Sequence, residues 1–246
     1  MHFKNIIASG CSFTDDGIGG FPPTTENVGN SSFRIYEGIA PSVPNTWASW
    51  IAKKTQSSSF VNLASGSHGN ILIAHSIIEL LQNFNYFPDD TLILFNLSNF
   101  YRYDVPCDFS NLNKSQYVPW SSNIISYTFY NMWSKKHKSL IKEIDAATIQ
   151  NITANHVNFL FNFLSNNRYK FYFLMMEDYF QSSLKIKNVI SKFRDHLIYL
   201  DKSNNMMEFC LKNNITVSET DHHPSKLGHE IISDIVYQHI NTKIKH

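Results

Sequence analysis

The sequence has few of the residues that mark disordered, disulfide-linked or collagen-like chains. It contains nine Gly and eight Pro in 246 residues, and 43% of its residues are hydrophobic, enough to bury a sizeable core. Its three cysteines, Cys11, Cys107 and Cys210, stand far apart and form no CxxC pair. Neither a disulfide framework nor a thiolate zinc site is therefore indicated, and a soluble protein of the reducing cytoplasm is expected.

The sequence also lacks an excess of charge and a long apolar run. Lys and Arg total 21 against 20 Asp and Glu, a formal net charge of +1, so no long-range field favours nucleic acid or an anionic membrane. No apolar stretch reaches the ~20 residues that span a bilayer, and the run before Ser9 is too short for a signal peptide. We expect no nucleic-acid partner and no membrane span, and the sequence leaves the oligomeric state open.

Short apolar runs alternate with helical patterns along the chain. Five such runs predict strands, at Phe3–Ser9, Ser59–Ala64, Thr91–Leu97, Tyr169–Met175 and His196–Leu200. Between and after them, apolar residues at helical spacing predict helices over 46–54, 70–84, 126–164 with a break near 151–154, and from Pro224 onwards. This alternation favours an α/β fold in which helices cover both faces of a parallel sheet of about five strands.

Two segments are longer than a minimal alternating fold requires. Residues 17–44, rich in Gly, Pro, Ser and Thr, and residues 101–123 are predicted to be loop insertions in a single domain that spans residues 1–246. Loops of this length in a compact domain are commonly lids or binding loops. Each begins soon after a strand, so we expect both to border the carboxyl edge of the sheet, where ligands bind.

Polar residues with catalytic potential stand at the ends of the predicted strands. Ser12 follows the first strand, while Asp221, His222 and His223 precede the last helix. A serine hydroxyl becomes a nucleophile when a base takes its proton and a third group orients that base, so a serine with an Asp-His pair is a sufficient set. A purely structural interpretation of the same residues is that Ser12 caps a helix or belongs to a turn, and that the adjacent histidines lie in a surface loop.

With these motifs the chain resembles the SGNH/GDSL hydrolases, whose sequence blocks supply a serine, a glycine, an asparagine and a histidine in that order. Gly10-Cys11-Ser12-Phe13-Thr14 is similar to the first block, residues 62–70 to the second, Asn99 to the third and residues 221–225 to the last. The resemblance implies a flavodoxin-like three-layer α/β/α sandwich. It also implies hydrolysis or transfer of acyl groups without a cofactor, and no metal site is expected.

The resemblance assigns a catalytic role to each matched residue. Ser12 would be the nucleophile, and His223 would be the general base, preferred over His222 because a proline follows it. The acid that orients the histidine would be Asp221, with Glu219 or a backbone carbonyl as the alternatives.

The oxyanion hole would comprise the backbone N–H groups of Ser12 and Gly66 together with the side-chain amide of Asn99. Three further side chains are expected to contact the substrate: Tyr101, Arg102 and Trp120.

The sequence therefore predicts a serine-dependent hydrolase that acts on O-acetyl or short-chain esters, with a small molecule or a carbohydrate as substrate. An O-acyltransferase that acylates a sugar hydroxyl would use the same residues. A metal-dependent phosphoesterase is a weaker alternative, because imidazole and carboxylate ligands are available. Its candidate ligands are Asp15, Asp16, Asp221, His222, His223 and His229. A non-catalytic binding module is the third alternative.

Overall fold

The computed structural model describes residues 3–14, 25–28, 31–37, 45–64, 68–106, 124–127, 145–178, 183–201, 203 and 205–244. The strands in these ranges are β1 (Asn5–Ser9), β2 (Thr25–Val28), β3 (Ser31–Glu37), β4 (Ser59–Asn62), β5 (Thr91–Leu97), β6 (Tyr103–Pro106), β7 (Ile124–Tyr127) and β8 (Lys170–Met175). The helices are α1 (Trp47–Thr55), α2 (Asn70–Asn83), α3 (Ala146–Asn166), α4 (Leu184–Lys192), α5 (Met206–Lys212) and α6 (Lys226–Ile244). None of these helices is long and apolar enough to cross a membrane.

A mixed sheet forms the centre of the described structure, with its strands in the order β2-β3-β4-β1-β5-β8. The four strands β4, β1, β5 and β8 are parallel, and β1 lies in the middle, with Asn5 beside Ser59 on one side and Thr91 on the other. Numbered along the chain, the parallel strands run 2-1-3-4, which is the flavodoxin-like order. The predicted α/β fold with a central parallel sheet is therefore confirmed.

The central strands bury side chains on both faces, which produces the three layers. In β5, Ile93 and Phe95 belong to one core and Leu92 and Leu94 to the other, because successive side chains of a strand point to opposite faces. The first core is closed by α2, α3 and α4, and the second by α1, α5 and α6. Burial on both faces explains why these strands read as nearly continuous apolar runs.

The prediction of a fifth parallel strand at His196–Leu200 is wrong. A 3₁₀ turn over Arg194–His196 comes first, and only Leu197 then makes a parallel bridge, to Phe173 of β8. Soon afterwards Asp201 adopts a left-handed conformation with φ of 56°, which turns the chain away. Turns on both sides leave one bridge in place of a strand, so the described sheet contains four parallel strands.

Both predicted insertions contain regular structure. Within 17–44, β2 and β3 form an antiparallel hairpin, and β3 extends the sheet by pairing antiparallel with β4. The segment 101–123 begins with β6, which pairs with β7 in a separate two-stranded sheet; residues 107–123 lie outside the described residues. The predicted helix over 126–164 is wrong at its start, because residues 126 and 127 belong to β7, and wrong in its break, because α3 runs unbroken through 151–154; residues 128–144 lie outside the described residues.

Candidate active site

Ser12 lies just beyond the carboxyl end of β1, in a tight turn at the centre of the sheet. The turn is closed by the backbone N–H of Thr14, which donates to the carbonyl of Cys11 at 2.9 Å. The Thr14 hydroxyl donates to Asn96 Oδ1 at 2.5 Å and accepts a hydrogen bond from Trp47 Nε1 at 3.0 Å. Because Thr14 is fully buried and held from two sides, the turn that carries Ser12 is firmly placed.

His223 reaches Ser12 from a loop that precedes α6. Its Nε2 lies 2.7 Å from Ser12 Oγ, although the two residues are 211 positions apart in the chain. Phe13, which is buried, packs against the imidazole with ring centroids 4.8 Å apart. In this geometry Nε2 can accept the proton of the serine hydroxyl.

Asp221 lies on the other side of the His223 ring. Its Oδ1 is 2.5 Å from His223 Nδ1 and also accepts the backbone N–H of His223 at 3.1 Å. The hydrogen bond from the His223 side chain, followed by the one from its backbone, lowers the pKa of Asp221 below its usual value. A carboxylate at Nδ1 fixes the tautomer that leaves Nε2 free to accept a proton. Of the three orienting groups considered from sequence, the structure brings Asp221 to this position.

The two other histidines near His223 in sequence, His222 and His229, have different surroundings. His222 is exposed, whereas His229 on α6 is buried and its Nδ1 accepts the backbone N–H of Trp47 at 3.3 Å. Burial, and secondarily the charge of His223, lowers the pKa of His229 to about 4, as expected for a neutral ring that accepts a hydrogen bond. Among the described residues no three His, Cys, Asp or Glu side chains are grouped so as to hold a metal ion, and Asp15 and Asp16 lie outside those residues.

Asn99, one of the predicted oxyanion donors, follows β5 at the same edge of the sheet. Its Oδ1 accepts the backbone N–H of Tyr101 at 2.7 Å, and its Nδ2 donates to Glu177 Oε2 at 2.6 Å. An amide nitrogen carries two hydrogens, so Nδ2 can donate to Glu177 and to a second acceptor. The predicted donor Gly66 lies outside the described residues.

The predicted substrate-binding residues are placed in different ways. Tyr101 is 40% exposed at the carboxyl edge. Arg102 donates from Nη1 to the carbonyl of His68 at 3.0 Å, so it connects the segment after β5 to the segment that leads into α2. Trp120 lies outside the described residues.

Comparison with known proteins gives similarity at the structural level. No protein-family model matches the sequence, and no curated protein matches it significantly. A catalytic mutant of an acetylxylan esterase from Geobacillus stearothermophilus is 9% identical, with 98% of this chain and 95% of that chain covered and a TM-score of 0.51. The resemblance to the SGNH/GDSL hydrolases is confirmed at the level of the fold.

Two further solved structures have similar coverage and lower TM-scores. A psychrotrophic esterase from a Pseudoalteromonas species is 10% identical, covers 99% of this chain and 100% of its own, and has a TM-score of 0.49. A member of the lipolytic G-D-S-L family from Veillonella parvula is 10% identical, covers 95% of this chain and 96% of its own, and has a TM-score of 0.46. At such identities the similarity extends to the fold alone.

Sequence reasoning missed two residues that hold this site together. Thr14 fixes the turn that carries Ser12, and Glu177 binds the amide of Asn99. The available signal for Glu177 was its position just after the apolar run of β8, since a charged residue at the carboxyl end of a buried parallel strand faces the ligand edge. Thr14 had no comparable signal, because its partners come from β5 and α1.

Proposed function

We propose that the protein is a serine-dependent ester hydrolase. The observation that carries this proposal is the continuous chain of contacts from Ser12 Oγ to His223 Nε2 at 2.7 Å and from His223 Nδ1 to Asp221 Oδ1 at 2.5 Å. Nucleophile, base and orienting acid are thus arranged in sequence at the ligand edge of the sheet, as acyl transfer through a serine requires.

The reaction would proceed through an acyl-enzyme. His223 takes the Ser12 proton as Oγ forms a bond to the ester carbonyl carbon, and the carbonyl oxygen becomes an oxyanion held by the N–H groups of Ser12 and Gly66 and the amide of Asn99. When the intermediate collapses, the ester C–O bond breaks and His223 gives its proton to the departing alcohol. Water, deprotonated by His223, then attacks the acyl-enzyme, and the acid is released with Ser12 reprotonated.

The substrate class we propose is the O-acetyl or short-chain ester of a carbohydrate. A half-exposed aromatic ring, Tyr101, stands at the carboxyl edge near Asn99, and aromatic rings offer sugars an apolar face with a polar edge. The acetylxylan esterase of similar fold is a precedent for this chemistry on such a scaffold. Transfer to a sugar hydroxyl would use the same residues and would give an acylated sugar instead of free acid, which mass spectrometry of the products distinguishes.

Replacing the nucleophile tests the proposal directly. Ser12→Ala should lower turnover of a chromogenic acetyl ester by up to about a millionfold, because residues of such a triad act as a unit. A serine-reactive phosphonate should label the native protein at Ser12, as mapped by mass spectrometry, and should not label the variant.

The matched control is Ser191→Ala, which removes an exposed hydroxyl near the end of α4 and should leave turnover and labelling unchanged. Thermal unfolding of all three proteins verifies that the fold is retained. More than about a tenth of native turnover in Ser12→Ala would contradict the assignment, given the loss expected for a nucleophile.

A further inference from the structure

The amide of Asn99 is bound at both ends, which gives it one orientation. The backbone N–H of Tyr101 donates to Oδ1 at 2.7 Å, and Nδ2 donates to Glu177 Oε2 at 2.6 Å. A rotation by 180° about the last side-chain torsion would exchange the amide oxygen and nitrogen. Such a flip would set oxygen against the Glu177 carboxylate and nitrogen against the Tyr101 N–H, and both contacts would be repulsive.

The orientation matters because an oxyanion hole works only through donors. An inverted Asn99 would present a carbonyl oxygen to the developing negative charge and would oppose the reaction. The contact to Glu177 is charge-assisted, hence stronger than a neutral hydrogen bond. Glu177 therefore contributes strongly to keeping the nitrogen of Asn99 available as a donor.

The position of Glu177 follows from the sheet. Just after β8, the backbone N–H of Met176 donates to the carbonyl of Leu97 at the end of β5, at 2.9 Å. This link keeps the two strands side by side beyond their regular pairing, so Glu177 comes to lie beside Asn99.

Burial and two neighbouring groups act on the Glu177 carboxyl group in opposite directions. The side chain is half-buried, and this burial raises its pKa, while Arg102 and the Asn99 hydrogen bond act in the opposite direction. The positive charge of Arg102 also offsets the negative charge that Glu177 brings near a developing oxyanion.

We propose that Glu177 is a positioning residue, which acts through Asn99 by fixing the orientation of its side-chain amide for oxyanion binding. The inference rests on the proposed ester-hydrolase function and assigns to that site a residue outside the serine, histidine and aspartate set. Glu177 itself does not contact the reacting atoms in this scheme.

Kinetics of four variants and one control variant on a chromogenic acetyl ester test the proposal. Asn99→Ala should lower kcat by about 10²- to 10³-fold, the usual loss for one oxyanion donor. Glu177→Ala should lower kcat by at least about tenfold, and by no more than Asn99→Ala does. KM should stay within about twofold in both, because the lost interaction is made in the transition state. Glu177→Gln keeps an oxygen that accepts from Nδ2, so it should recover most of the activity.

The double variant Glu177→Ala/Asn99→Ala should be no slower than Asn99→Ala, since a residue that acts through Asn99 has no effect once Asn99 is gone. Losses that multiply in the double variant, or a rise in KM as the main effect of Glu177→Ala, would overturn the proposal. Glu208→Ala is the matched control, because Glu208 lines the same open pocket of about 260 Å³ as Glu177 and pairs with Lys212; its kcat should equal that of the native protein.

A second measurement separates the orientation of Asn99 from catalysis. In the ¹⁵N-labelled protein, the side-chain amide signal of Asn99, identified by its loss in Asn99→Ala, should shift in Glu177→Ala and remain unchanged in Glu208→Ala. An unchanged signal in Glu177→Ala would overturn the positioning role. Absence of Ser12-dependent turnover in the native protein would instead overturn the ester-hydrolase function, and with it the catalytic purpose of this pair.

Discussion

Three buried asparagines hold the loops at the carboxyl edge of the sheet. Asn62 donates from Nδ2 to the carbonyl of Thr14 at 3.0 Å, and Asn96 accepts the hydroxyl of the same Thr14. Asn70 donates to the carbonyl of Ser98 at 2.8 Å and accepts the Ser98 N–H at 2.7 Å. An asparagine has both donors and an acceptor on a short side chain, so each one can satisfy loop backbone that leaves the sheet without regular partners.

The glycine before the nucleophile turn is required by both space and conformation. Gly10 has φ of +153°, and a Cβ at this position would lie 2.0 Å from Asn96 Oδ1. Gly10→Ala should therefore lower the free energy of unfolding by about 1–3 kcal/mol, from strain and overpacking together. Urea unfolding followed by circular dichroism measures this change.

The same substitution in an Asn96→Ala background separates the two causes. Without the Asn96 amide the shortest contact is removed, whereas the backbone strain and a tight 3.0 Å approach to Thr14 Oγ1 remain, so the cost of Gly10→Ala should be smaller there. An equal cost in both backgrounds would show that the close approach to Asn96 contributes nothing.

At the level of elements, the N-terminus of helix α2 is capped by a residue from a strand, β6. Gly69, the N-cap residue, has no side chain, and the buried Asp104 of β6 takes its place. The Asp104 carboxylate accepts the N–H of Gly69 at 3.1 Å and that of Leu72 at 2.8 Å. A negative charge at a helix N-terminus also interacts favourably with the helix dipole. This cap ties the small β6–β7 sheet to the main body of the described structure.

Removing the cap should loosen the start of α2. Asp104→Ala should lower the free energy of unfolding by about 2 kcal/mol or more, because the cap is lost and backbone N–H groups remain buried without their acceptor. Hydrogen exchange of the first-turn amides of α2 should accelerate more than exchange elsewhere in the protein.

Asp145→Ala is the matched control for this prediction. Asp145 is the exposed N-cap of α3 and accepts the N–H of Thr148 at 2.8 Å, so its loss should cost clearly less stability than the loss of Asp104. If the two variants were equally stable, the buried position of Asp104 would carry no additional energy.

Across the whole molecule, buried neutral histidines couple stability to pH. His229 on α6 accepts the N–H of Trp47 at the start of α1, so it joins two helices of the same layer. Its pKa is lowered from 6.5 to about 4 by burial, and that of His68 to about 3 by burial and then by Arg102. Both rings are neutral in the folded protein at pH values where the unfolded chain already binds protons.

Stability should therefore fall as pH falls from about 6.5 to about 4. In this window the unfolded state binds more protons than the folded state, so protonation favours unfolding. His229 alone should account for about 3 kcal/mol by pH 4. Urea unfolding between pH 4 and 8 measures the effect.

His229→Asn is the comparison variant for the pH prediction. An asparagine oxygen replaces Nδ1 as the acceptor for Trp47 and does not titrate, so stability should depend less steeply on pH in this window. A native protein whose unfolding free energy is constant from pH 6.5 to 4 would contradict the prediction.

Sequence patterns predicted the parallel strands well because their signal is local. Strands such as β5, TLILFNL, bury both faces and must be apolar at nearly every position. The hairpin β2–β3 lies at the sheet edge, and its segments TENV and SSFRIYE carry polar residues among the apolar ones. No continuous apolar run marks this hairpin, so the sequence predicts a loop there. The run His196–Leu200 is apolar because Leu197, Ile198 and Leu200 are buried in the core. Turns on both sides prevent the run from pairing with β8 along its length.

Sequence patterns are sufficient to locate the central strands and to single out Ser12, His223 and Asp221 as one chemical set, because each stands in a short motif at the end of an element. The surroundings of this set depend on tertiary contacts: Phe13 packs against the imidazole, Thr14 holds the serine turn and Glu177 binds the Asn99 amide. Secondary structure follows from the spacing of neighbouring residues, whereas these contacts join strands and loops far apart in the chain. Which polar group meets which is set by the order of strands in the sheet, and spacing along the chain does not encode that order.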